Sequence, residues 1–386
     1  MIKIALRPNL IYPMQLIIWT FLRKITSILI SKLFGLKSSI IYTFLMFLGE
    51  ILGGFVSYKY QNSFIKNKSA ENMVNSRFSF VFSSNEMNKA NHNFTIKFLI
   101  FISSFFDFFE FIISTYYLGK ILKISKTLQI RLGGILIVVS FLVCSFVLNF
   151  NIFKHHSYSI IIIIISWIIL IICEFFFQKF DIYITRNELT LAIFFSFLSH
   201  TFVSINNCVE KYLMDFNFLN PFLLLANQGI IGFIFTIICS FFENPIPELK
   251  NFYKNNSIGA IIGFVSLLLL YFIFGALKNI YRMCTNMLFS PMYKNLADYL
   301  INPIYIIYYF TIGEDFLNER GRNYLYFFVN IMILIIFDFF GLVYNEFIAL
   351  FFCGLEQNTY KSINYRAQSE EMDSIYIDED EDEDVD

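Results

Sequence analysis

Ser290–Pro291–Met292–Tyr293–Lys294–Asn295–Leu296–Ala297–Asp298–Tyr299–Leu300–Ile301–Asn302 is a polar segment set inside an apolar run, Met287 to Phe310. The run is long enough to cross a bilayer. At helical spacing Lys294, Asp298 and Asn302 fall at i, i+4 and i+8 and share one face. A charge at mid-membrane costs about 3 kcal/mol on insertion scales, so this face must turn from lipid towards protein or water. Two readings meet that demand. Either Lys294 snorkels near a helix end with Asp298 as its structural partner, or the face is the polar wall of a solute pathway.

Composition sets the environment. Of 386 residues, 57% are hydrophobic and only 15% charged, too few for the surface of a soluble protein of this size. The chain reads as an all-α polytopic membrane protein. Its net charge of −1 hides an asymmetry: residues 370–386 hold eleven Asp/Glu and no Lys/Arg, leaving 19 acidic against 29 basic residues elsewhere. A basic membrane body suits an anionic solute or anionic lipid headgroups, although Lys and Arg also simply flank spans. The six cysteines lie in or beside apolar runs without CxxC spacing, and the four histidines are scattered. Neither type outlines a metal site, no cofactor is expected, and nothing suggests nucleic acid as a partner. The expected partners are the bilayer and a small-molecule solute; a homodimer stays open.

About ten apolar runs are candidate spans: Leu10–Phe34, Ile40–Tyr58, Phe94–Leu118, Leu128–Phe150, Ser157–Phe177, Leu189–Val209, Leu219–Phe242, Ile258–Ile280, Met287–Ile312 and Tyr324–Cys353. Arg23 and Lys24 interrupt the first. The runs divide near residue 183 into an N-terminal half of five (1–183, with a polar loop at 59–93) and a C-terminal half of five (184–355). Residues 356–386 read as a disordered acidic tail. With both ends cytoplasmic the positive-inside bias is slight. Of three glycosylation sequons, at Asn67, Asn93 and Asn255, only the last faces the lumen in this topology.

The halves share a pattern. Gly49–Glu50–Ile51–Leu52–Gly53–Gly54–Phe55 in the second run aligns with Asn227–Gln228–Gly229–Ile230–Ile231–Gly232–Phe233 in the seventh. Five spans per half is odd, so equivalent helices run in opposite directions: an inverted five-plus-five repeat. The GxxxG spacings Gly49/Gly53 and Gly259/Gly263 fit ordinary close helix packing.

On these residues the chain resembles the drug/metabolite transporter superfamily (EamA-like), in particular the nucleotide-sugar-transporter-like solute carriers of family thirty-five, F subfamily type. The likeness is carried by Met46–Phe47–Leu48–Gly49–Glu50, Glu210–Lys211–Tyr212–Leu213, Pro221, Gly229–Ile230–Ile231–Gly232–Phe233, Ser290–Pro291 with Leu296–Ala297–Asp298, and Tyr344–Asn345–Glu346. It implies ten helices in an inverted repeat around a central cavity that opens alternately to either side. It departs at Asn227–Gln228–Gly229, where an acidic residue is expected before the glycine.

Charged groups inside the runs supply the candidate substrate-binding residues: Glu50, Asp107, Glu110, Tyr117, Lys126, Arg131, Lys294, Asp298 and Asn302. Asp107 and Glu110 adjoin at i, i+3. The carboxylates either line a cavity or lock helices by pairing with Arg131, Lys211 or Lys294; for Glu174, near an aqueous end, the structural role is favoured. Arg131, Lys126 and Lys294 suit a phosphate, Arg bidentately and Lys as a point charge. Tyr117 could stack on a base or bond a sugar, or merely anchor at the interface.

The expectation is therefore a non-enzymatic secondary transporter of a small polar, anionic solute such as a nucleotide sugar, working by alternating access. Tyr360–Lys361–Ser362–Ile363 fits a tyrosine-based sorting signal and favours Golgi, endosomal or lysosomal membrane. The rivals are a non-transporting scaffold with a recruiting tail and a membrane acyltransferase using His200 near Asn206 and Asn207.

Overall fold

The structure, a computed structural model, describes residues 2–4, 11–35, 39–60, 93–122, 126–148, 152–177, 185–217, 219–241, 245–312, 317–318, 321–350, 354–355, 359 and 362. Most of the expected 59–93 loop, the Asn67 sequon, nearly all of the Tyr360 signal and the acidic tail fall outside the described residues.

Helices dominate: α1 (Ile11–Phe34), α2 (Ser39–Lys59), α3 (Asn93–Phe111, continuing as π-helical turns over Ile112–Ile121), α4 (Lys126–Leu132), α5 (Ile135–Val147) and α6 (Lys154–Phe177). Then follow α7 (Arg186–Asp215), α8 (Pro221–Ser240), α9 (Ile246–Asn255), α10 (Ile258–Leu288), α11 (Pro291–Tyr299), α12 (Asn302–Ile312) and α13 (Tyr324–Tyr344). Strand β1 (Ile2–Ile4) pairs antiparallel with β4 (Ile348–Leu350), tying the two ends of the helical region; β2 (Leu317–Asn318) and β3 (Gly321–Arg322) form a small hairpin. Among the described residues seven helical segments are long and apolar enough to cross a membrane: α2, α4 with α5, α6, α7, α8, α10 and α13. The protein is a polytopic α-helical membrane protein.

The boundaries follow local chemistry. Thr185 and Glu188 close a reciprocal capping box at the start of α7, with Thr185 N–H donating to Glu188 Oε2 at 2.8 Å. Asn220 caps α8 by accepting from Phe222 N–H at 2.9 Å, and Pro221 takes the first helical position, where no N–H is needed. Ser290 and Pro291 repeat that arrangement at α11. Pro303 cannot donate to the carbonyl of Tyr299, and the expected Met287–Ile312 span is accordingly broken at Leu300–Ile301 into α11 and α12. The eighth expected span stops at Ile280, but α10 runs to Leu288, because neither glycine nor proline interrupts residues 281–289.

Packing directions alternate along the chain. Ser140 and Ser204 hydroxyls meet at 2.8 Å, and the free thiols Cys144 and Cys208 meet one turn on, a constant offset of 64 residues that makes α5 and α7 parallel. Trp19–Phe274 and Tyr12–Tyr281 ring contacts run in opposite senses, so α1 and α10 are antiparallel. Helices α2 and α8 are antiparallel and unusually close: a Cβ on Gly54 would meet Ala226 N and Phe222 O at 2.7 Å, and Gly232 lies under the Phe47 ring. Gly49 and Gly53 pack against Ala276 of α10, whereas Gly259 faces open space and Gly263 only the tip of Phe34.

Candidate functional site

One face of α10 carries Lys278, Asn279, Arg282 and Asn286, and all but the half-buried Lys278 are buried. Arg282 is the centre of this face. Its guanidinium lies 3.6 Å from Glu50 of α2, 3.3 Å from Asp107 of α3 and 3.3 Å from Glu210 of α7. Three carboxylates from three helices thus surround one guanidinium. Burial of the three carboxylates is eased because each also accepts a hydrogen bond from a side-chain amide. Asn279 donates to Glu50 at 2.9 Å, Asn286 to Glu210 at 3.0 Å, Gln228 to Glu210 at 3.1 Å and Asn206 to Asp107 at 3.4 Å. Ser103 joins α3 to this network through Asn206 and Gln228.

The network is incompletely satisfied. Among the described residues, Glu50 Oε2, Asp107 Oδ2, Gln228 Oε1, Asn286 Oδ1, and Arg282 Nε and Nη2 are buried and make no hydrogen bond. Such atoms normally have a protein or water partner, so their concentration at one place marks a site with donors and acceptors to spare.

A second cluster of opposite sign adjoins it. Asp298 of α11 lies 3.7 Å from Lys278 and 3.9 Å from Lys294, accepts from Thr20 Oγ1 at 3.1 Å, and also feels the charge of Lys24. Lys24 in turn donates to Asn302 at 3.3 Å, and Arg23 to Tyr271 at 3.0 Å. The charges that interrupt the first expected span therefore face inwards. Lys294 donates to Asn207 at 2.9 Å, and Asn207, Asn295 and Ser140 continue a buried chain across to α5. Here three lysines surround one carboxylate. Lys278 and Arg282, one turn apart on α10, join the two clusters.

Of the candidates read from sequence, Glu50, Asp107, Lys294, Asp298 and Asn302 meet in this layer, and Glu110 is half-buried one turn beyond Asp107. Arg131 lies elsewhere, gripping Glu174 bidentately (Nε–Oε1 2.7 Å, Nη2–Oε2 3.3 Å) beside Tyr326, whose hydroxyl also donates to Glu174. The favoured structural role of Glu174 fits this pair, and the guanidinium is engaged by protein. Tyr117 packs at a tilt against Phe195 of α7, ring centroids 4.0 Å apart. The side chain of Lys126 is outside the described residues. His200 lends its backbone carbonyl to Ser204, and its Nδ1 makes no hydrogen bond among the described residues.

Arg282, Glu210, Gln228, Asn279, Asn286 and the asparagines of α7 are central to the geometry but absent from the sequence-derived set. For Arg282 the missed signal was the continuation of α10: four residues from Lys278 and four from Asn286, it extends a polar stripe that ends only at Pro291. No protein-family model matches the chain, and no curated protein sequence matches it either.

Proposed function

We propose that this protein is a secondary transporter with ten spans in an inverted five-plus-five repeat. It moves a small polar, anionic solute of the nucleotide-sugar kind across an internal membrane by alternating access. The observation that carries this is the pair of adjoining buried clusters, the lysines around Asp298 and the carboxylates around Arg282, built from both halves of the chain. Intramembrane charge is expensive and is kept where a pathway needs it. Phosphate oxygens suit the lysine cluster; sugar hydroxyls suit carboxylates and asparagine amides. The broken pair α11/α12 beside Lys294 is the kind of discontinuous span around which carrier sites are built.

The remaining three spans of this topology are α1, α3 with its π-helical turns, and α11 with α12. The break at Leu300–Ile301 leaves α11 and α12 each too short to cross alone, and Lys97, Asp107 and Glu110 lower the apolarity of α3. The repeat draws support from the packing pattern. Exchanging each helix for its counterpart in the other half turns α1·α10 into α7·α3, α2·α10 into α8·α3, and α5·α7 into α11·α1. All of these pairs are in contact, while α2·α8 and α6·α13 map onto themselves.

Mutual pairing of the charges favours one second reading, a rigid scaffold. Uptake separates the two. Purified protein in liposomes should accumulate a nucleotide sugar or phosphorylated metabolite, chosen as the compound that most raises its melting temperature. A pure scaffold would take up none of them.

A further inference from the structure

The spacing of the histidines offers no ligand set, yet the fold brings His155, His156 and Glu346 together. His155 and His156 are the second and third residues of α6; Glu346 follows the end of α13. One ligand atom from each of the three lies within 4.8 Å of the others. From this geometry we infer a binding site for a divalent transition-metal ion of the Zn2+ class, held by the two imidazoles and the carboxylate.

Two independent features point to a ligand. His155 is only 3% exposed, and among the described residues neither of its ring nitrogens makes a hydrogen bond, an expensive condition for a buried imidazole. Its Nε2 faces Glu346 Oε1 at 3.5 Å. Glu346, meanwhile, has φ +60°, a left-handed conformation that a side-chain-bearing residue adopts at a cost and that tends to persist where a site requires it. It turns the carboxylate onto the imidazole.

The donor set selects the metal. Zn–N and Zn–O bonds of about 2.0–2.2 Å place tetrahedral ligands about 3.4 Å apart, close to the His155–Glu346 separation. The 4.8 Å limit of the trio then needs to contract by little more than an ångström. Two imidazoles and one carboxylate suit Zn2+, Co2+ or Ni2+, whereas Ca2+ and Mg2+ demand oxygen shells. The His156 ring is braced between His155 and Tyr344, with centroids 4.0 and 4.6 Å away. Phe153 N–H approaches its Nδ1 at 3.3 Å, a long bond that a metal–nitrogen bond outweighs. His156 and Glu346 also border a cavity of about 270 Å³ shared with Ser290, Tyr293 and Asn345, which gives an ion access and leaves a fourth position open.

The ion would join α6 of the first half to the segment after α13 of the second. On the carrier reading it would hold that end of the two halves together. The binding itself does not depend on that reading, and its test involves no transport.

Purified full-length protein, stripped with EDTA, is titrated with ZnCl2 while its melting temperature is followed, and with CoCl2 while the visible d–d absorption is recorded. The wild type should show a Co2+ spectrum and a Zn2+-dependent rise in melting temperature. His155→Gln and Glu346→Gln should each weaken Zn2+ by about tenfold or more, at least the loss that removing a supporting residue causes. Melting in EDTA identifies any variant that fails to fold, and His156→Gln then takes its place. A wild type without the Co2+ spectrum, or folded variants with the wild-type Zn2+ response, overturns the site; the acidic tail and thiols would then account for any residual binding.

Discussion

Arg282 Nη1 lies 3.3 Å from Asp107 Oδ1, a buried contact between residues 175 positions apart that locks α10 onto α3. The same guanidinium holds Glu50 and Glu210, so its removal leaves three buried carboxylates facing one another. Stripping one partner from a buried ionic cluster costs about 3–5 kcal/mol. Arg282→Ala should therefore lower the melting temperature of the detergent-solubilised protein severely. Arg282→Lys, a single point charge that cannot span three acceptors, should recover only part of the loss. Melting of Arg282→Ala at the wild-type temperature would show that the cluster does not carry stability.

The cluster around Asp298 makes the opposite forecast. Asp298 is half-buried at 21% exposure, and its two lysine contacts are long, at 3.7 and 3.9 Å. Neither lysine contact is short enough to be a hydrogen bond, so neither clamps α11 tightly. Asp298→Ala should keep the melting temperature near that of the wild type, Lys294→Ala should lower it by the loss of the buried bond to Asn207, and both should abolish solute uptake into proteoliposomes. A charge-assisted hydrogen bond from Lys294 to an anionic solute contributes about 1.5–3 kcal/mol, or about ten- to a hundredfold in affinity. Wild-type uptake by both variants would remove Lys294 and Asp298 from the solute site.

The glycines allow a paired comparison. A Cβ on Gly54 would press on the backbone of α8 at 2.7 Å, where neither atom belongs to a side chain that can swing away. Gly54→Ala should then cost about 1–3 kcal/mol, as overpacked cores do. Gly259, in the first turn of α10, has nothing within 4 Å, and Gly259→Ala should be neutral or slightly stabilising through helix propensity. Thermal melting of both variants, with equal losses, would contradict the α2–α8 contact.

What could be read from sequence was whatever hydrophobicity and spacing encode. The apolar runs correspond closely to helices; Lys294 and Asn302 are buried and Asp298 half-buried, but the break at Leu300–Ile301 puts Asn302 on a separate helix. Pair identities were another matter. Glu50 and Asp107 could have met Arg131, Lys211 or Lys294; they meet Arg282, which an early stop at Ile280 had placed outside the membrane. Arg131, expected with Lys126 and Lys294 to suit a phosphate, is gripped by Glu174 of α6. Helix–helix register decides such choices, and in an apolar sequence many registers bury similar area. Neutral amides such as Asn206, Asn279 and Gln228 left even less trace, since only their cross-helix partners reveal a role.

Glu110 is the carboxylate that the network leaves over. It is half-buried on α3, within electrostatic reach of Lys278 and Lys294, and makes no hydrogen bond or ion pair among the described residues. Its neighbours Glu50, Asp107 and Glu210 are committed to Arg282, so a proton or sodium ion that enters the layer meets Glu110 with the least competition. A carrier that draws on an ion gradient needs such a group, whose neutralisation alters the field at the solute site. Glu110→Gln keeps the shape and removes the charge. Its melting temperature should match the wild type, because no pair is broken, whereas uptake should lose its dependence on an imposed proton or sodium gradient and proceed as plain exchange. Gradient-driven accumulation undiminished in Glu110→Gln would assign the coupling to another group, and Asp298→Asn would be the next variant to measure.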